Sequence, residues 1–160
     1  MKYYLGMIFD LTEPPFMLIN KQGMIEDIIS STKTSAKTAN SSIRSMSPTA
    51  PAARYLFDMS TDSDLLPESL LVISHSTVAK LIYISTRAGE DLLSTISLLS
   101  KKVFLHATQE DWRKLQRALG YLESIKMQKL KLGMTTPMTV RTYIDASFAV
   151  HFDFKSHIGI

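Results

Sequence analysis

The sequence predicts an α+β fold. Three observations carry that prediction: an aromatic and aliphatic run at residues 3–9, apolar residues at helical spacing between His75 and Leu122, and an alternating segment at residues 138–145. Strand-like patterns thus lie at both ends, and helical ones fill the middle.

Residues 3–9 (YYLGMIF) read as a strand, and Met17 to Ile19, followed by Asn20, Lys21, Gln22 and Gly23, read as a second strand ending in a turn. The two predict a hairpin with Glu13-Pro14-Pro15 in its loop, because prolines cannot donate to a ladder. Met24 to Ile29 is a short helix candidate with Met24, Ile25, Ile28 and Ile29 on one face. From Ser30 to Ala53 the composition shifts to Ser, Thr, Ala, Lys, Asn and Pro, with Ile43 and Met46 the only large apolar residues, which predicts a weakly ordered linker.

Helical spacing resumes at His75. Val78, Leu81, Ile82 and Ile84 mark one helix, and Leu92, Leu93, Ile96, Leu98 and Leu99 mark the next, with a break near Arg87-Ala88-Gly89. A third helix has an explicit start signal: Thr108 as N-cap and Asp111 in the capping-box position, ahead of Trp112, Leu115, Leu119 and Leu122. Lys129 to Gly133 leads out of it, and Met138 to Asp145 alternates Val140, Thr142 and Ile144 against Arg141 and Tyr143, as a strand ending at Asp145 does. The divisions expected are 1–29, a linker at 30–66, a helical region at 67–133 and a C-terminal strand or hairpin region at 134–160.

The 160 residues are 45% hydrophobic and 21% charged, the balance of a globular chain with enough apolar surface for a core. The absence of cysteine excludes disulfides, thiolate metal sites and thiol nucleophiles. Asp10 interrupts the first apolar run too early for a signal peptide, and no later run is expected to cross a membrane, so the reading is intracellular, cytoplasmic or nuclear, with no membrane partner. The net charge is +3, and most of the positive excess lies between Lys101 and Lys131, where Lys101, Lys102, Arg113, Lys114, Arg117, Lys126, Lys129 and Lys131 face only Glu110, Asp111 and Glu123. His75, His106, His151 and His157 do not form a metal signature, and Ser74 or Ser76 beside His75 is sequence adjacency rather than a catalytic triad.

Four strings taken in order, YLGMIF at 4–9, HSTVAKLIYIS at 75–85, TQEDWRKLQRALGYL at 108–122 and YIDASFAVHFDFKSH at 143–157, resemble the Pol polyprotein of Copia-type retrotransposons, from late reverse transcriptase into ribonuclease H. The resemblance spans nearly the whole chain and is weakest in the Ser/Thr-rich stretch. It implies that Leu5 and Gly6 belong to the hairpin that grips the primer strand. It also implies that the helices belong to the thumb and connection, with Arg113, Lys114, Arg117 and Lys126 tracking the phosphates of an RNA/DNA hybrid.

By the same resemblance Asp145 is a ribonuclease H carboxylate, one of a set that holds two magnesium ions in the intact enzyme. One carboxylate binds magnesium weakly, so no bound cofactor is expected and Asp145 is vestigial. The chain departs from the family at Glu90, Phe152 and Ile158-Gly159-Ile160, and the polymerase's paired aspartates are not in it. The expectation is a polyprotein fragment inactive alone, whose partners are nucleic acid and the rest of the polyprotein. The alternative is a non-catalytic module that binds nucleic acid or protein through the basic helix 108–131.

Overall fold

A computed structural model of the chain describes residues 1–52, 64–103, 107–133, 145–147 and 157–159. The fold is α+β. One antiparallel sheet has the order β1 (Lys2–Tyr4), β2 (Met7–Asp10), β3 (Phe16–Asn20) and β4 (Leu130–Gly133), and among the described residues four helices follow β3. A separate antiparallel pair is made by β5 (Asp145–Ser147) and β6 (His157–Gly159).

The run at residues 3–9 is two strands rather than one. Tyr4 pairs with Met7, leaving Leu5 and Gly6 as a two-residue loop with φ of 51° and 83°. Positive φ at both loop positions matches the right-handed twist of the flanking strands, and glycine tolerates it without a Cβ clash. The Pro14-Pro15 loop then joins β2 to β3, as expected, so the N-terminal part is a three-stranded meander. Residues 130–133 close its other side, with Phe16 opposite Gly133 and Ile19 opposite Leu130.

Helix α1 (Gln22–Thr38) begins where the Asn20 side-chain oxygen accepts from the Gln22 amide at 2.9 Å. It continues beyond Ile29 through residues expected to be linker. Tertiary contact explains this: Ala36 is buried, and the Thr32 hydroxyl donates to the Ile28 carbonyl at 2.7 Å while lying 3.1 Å from the Thr77 hydroxyl. Asn40, at φ 54°, ends the helix in a Schellman motif, in which the Ser41 amide donates to the Ala36 carbonyl and the Asn40 amide to that of Lys37.

Helices α2 (Glu68–Ala88) and α3 (Glu90–Val103) form the expected pair on either side of Gly89. By length and composition α2 would suffice to cross a membrane, contrary to the sequence expectation. Here it is the core helix, with Val78, Leu81 and Ile84 fully buried. Helix α4 (Gln109–Ile125) carries the expected capping box: the Thr108 hydroxyl accepts from the Asp111 amide at 3.3 Å, and the Asp111 carboxylate accepts from the Thr108 amide at 3.0 Å.

One apolar cluster draws Ile25 and Ile28 from α1, Leu81 from α2, Ile96 from α3 and Leu122 from α4. Residues expected to fall in the separate stretches 1–29 and 67–133 therefore share a sheet and a core. Two ion pairs bridge α1 and the end of α4, Lys33 with Glu123 at 3.0 Å and Lys126 with Glu26 at 3.6 Å. The expected strand at 138–145 lies outside the described residues except for Asp145, which opens β5.

Candidate nucleic-acid interface

The turn at Leu5 and Gly6 leans on the helices. Tyr83 of α2 donates its hydroxyl to the Leu5 carbonyl at 3.2 Å, and a Cβ at Gly6 would lie 2.5 Å from the Met24 methyl of α1. The positive φ favours glycine here, and any larger residue would also have to push the Met24 methyl aside. The outer side of the hairpin stays open: Tyr3, Tyr4 and Leu5 are exposed, Tyr3 by 77%.

From this turn an open groove runs along α1. Its first part is bounded by Tyr3, Gly6, Ile8, Gly23 and Met24, and its second by Asp27, Ser31, Thr34, Lys80 and Tyr83; Met24 and Asp27 border both. The Lys80 ammonium donates to the Ser31 hydroxyl at 3.0 Å. The surface is thus apolar with a row of hydroxyls, one lysine and two carboxylates, Asp27 and Glu26, of which Glu26 is engaged with Lys126. Such groups can hydrogen-bond sugar and phosphate oxygens and offer little net field.

The basic positions of α4 do not form one surface. Arg113 is exposed and bonded to Glu110 at 3.1 Å, and Lys126 is engaged with Glu26. Lys114 is only 3% exposed, against the expectation of an outward phosphate contact. It lies on the same buried side as Asp111, Leu115 and Ala118, because more than a narrow apolar stripe of α4 is covered. Arg117 is half-buried, and its Nε has no hydrogen-bond partner among the described residues.

Part of that cover is the Ser-rich segment at residues 41–48. The Arg44 amide donates to the Gln116 side chain at 3.3 Å, and the Met46 carbonyl lies 2.7 Å from where a Cβ at Gly120 would stand. Ile43 packs on the main core. The isolated Ile43 and Met46 were the available sequence signal for this strap.

A second polar cluster was not anticipated. Lys21, 5% exposed, donates its ammonium to the Ala88 carbonyl at the end of α2. Burial pushes its pKa down, opposed by the charges of Asp91 and Glu90. Tyr121 of α4 donates to the Asp91 carboxylate, and its own pKa is pushed up to about 12, first by burial and then by that bond.

The Cα of Asp145 is paired with that of Gly159 across β5 and β6. Among the described residues, no three of His, Asp and Glu gather closely enough to hold a metal ion. His106, His151 and Asp153 lie outside those residues.

No family model matches the chain, and neither curated proteins nor solved structures include one that matches it.

Proposed function

We propose that this chain is the primer-gripping and thumb part of a Copia-type reverse transcriptase, leading into its ribonuclease H, and that its role is to hold an RNA/DNA hybrid rather than to catalyse. The observation that carries the reading is the Leu5-Gly6 turn poised over the hydroxyl-lined groove of α1. The YLGM string that resembles the family's primer grip folds as a tight turn, with its exposed side next to a surface suited to backbone contacts. In this reading the charged partner is a hybrid met in the cytoplasm or nucleus, and the rest of the polyprotein completes the enzyme. Asp145 would supply one carboxylate to a magnesium site whose other ligands come from elsewhere in ribonuclease H.

The test is fluorescence anisotropy with a labelled RNA/DNA hybrid, repeated over a salt series. Lys80→Glu and Leu5→Asp are expected to weaken binding roughly tenfold or more, with a shallow salt slope because few phosphates are neutralised. Arg113→Glu is expected to change little. Loss confined to Arg113→Glu would transfer the function to the basic helix 108–131, and equal affinity for all variants would remove the groove from the interface.

A further inference from the structure

We infer that Ser47 is a phosphorylation site for a proline-directed serine/threonine kinase, and that the phosphate releases the 41–48 strap from α4. Three features converge on this residue. Ser47 is followed by Pro48 and preceded at three residues' distance by Arg44, and no other Ser or Thr of the chain has a Lys or Arg at that distance before it. The segment 41–48 has no helix or strand, as a chain must when it is threaded through a kinase cleft. Arg44, Ser45 and Ser47 are exposed, whereas Ile43 and Met46 are the half-buried residues that hold the strap down.

The reaction is a simple phosphoryl transfer. The Ser47 hydroxyl oxygen bonds to the γ-phosphorus of ATP, the bond from that phosphorus to the β,γ-bridging oxygen breaks, ADP leaves, and the hydroxyl proton passes to the kinase's base.

The consequence follows from how the strap lies. Arg44 meets Gln116 and Met46 meets Gly120, so two extended residues, about 7 Å, advance beside four helical residues, about 6 Å. Strap and helix therefore run in the same direction, which brings Ser47 and Pro48 alongside the last turn of α4. That turn contains no basic residue, and Glu123 lies within it. The bases at this end, Lys33 of α1 and Lys126 beyond the turn, are already engaged in ion pairs with Glu123 and Glu26. A doubly charged phosphate at the negative end of a helix dipole beside a carboxylate is repelled. Among the described residues the strap is held by the Ser41 amide's bond to Ala36 at its start, the Arg44 amide's bond to Gln116, the Gly120 approach and Ile43. Its release would uncover Gln116 and Gly120.

The experiment treats the full chain with a proline-directed kinase and magnesium ATP, maps the phosphate by mass spectrometry, and follows amide hydrogen exchange. The expected result is phosphate on Ser47, none there in Ser47→Ala, and roughly tenfold faster exchange in residues 41–48 after phosphorylation. Gly120→Ala, whose Cβ displaces Met46, is expected to speed the same amides without kinase. Failure of Ser47 to accept phosphate, or unchanged exchange in the phosphorylated chain and in Gly120→Ala, would overturn the inference.

Discussion

Tyr121 on α4 donates its hydroxyl to the carboxylate of Asp91 at the start of α3, across a corner also occupied by Lys21 and the end of α2. This bond joins α3 and α4, and it is made by the neutral phenol.

The pH consequence can be signed. An unperturbed tyrosine titrates near 10, whereas Tyr121 titrates at about 12 in the folded chain. The folded state therefore holds this proton more tightly than the unfolded one, so the stabilisation is complete below about 10 and is lost as pH rises through about 12. Buried Lys21 has a depressed pKa and acts in the opposite sense over its own window, so the comparison must be with Tyr121→Phe. Denaturant unfolding from neutral to strongly alkaline pH should show the wild type losing more stability than Tyr121→Phe between about 10 and 12.

Gly6→Ala forces a Cβ into the left-handed region and against the Met24 methyl. Stability should fall by about 1–2 kcal/mol, read from the urea midpoint. Hybrid binding should weaken as well if the turn belongs to the interface.

Thr108→Ala removes both halves of the capping box. It should cost about 1 kcal/mol. Leu122→Ala, at a site with no solvent exposure in the shared core, should cost about 2–5 kcal/mol. A thermal melt in which the cap costs as much as the core leucine would contradict the account of α4 given above.

Lys114→Glu reverses a charge that is 3% exposed. The expected effect is on folding, about 3–5 kcal/mol of lost stability, rather than on hybrid affinity at equal folded fraction. Circular dichroism alongside anisotropy separates the two. A fully stable Lys114→Glu that no longer binds would restore the outward reading of this lysine.

What the sequence made readable was what is local. The Thr108 and Asp111 box, the break at Gly89 and the apolar spacing of α2, α3 and α4 involve residues within a few positions of one another. The turn at Leu5-Gly6 was hidden because it carries no Asn-Gly or Asp-Gly pair and interrupts an aliphatic run without a polar residue. The second half of α1 was hidden because Ser and Thr are poor helix formers; their helicity depends on Thr77 and on the core that buries Ala36, partners outside any local window. At the candidate interface, Leu5 and Gly6 were named from resemblance, whereas the groove that adjoins them needs α2 beside α1. Lys114 was misplaced because helical spacing locates the centre of an apolar stripe and not how far the burial of α4 extends round it.

The paired charges between α1 and α4 act as a polarity code. Along α1 the order is acid at Glu26 and base at Lys33; along α4 and its cap it is acid at Glu123 and base at Lys126. Read in antiparallel alignment, each charge meets its opposite. Aligned in parallel, Glu26 would face Glu123 and Lys33 would face Lys126. Each exposed pair is worth at most about 1 kcal/mol, yet the mismatch would be counted twice in the wrong alignment. Helices whose apolar faces tolerate several dockings are thereby given one direction, and that selectivity should fade in concentrated salt while the core stays intact.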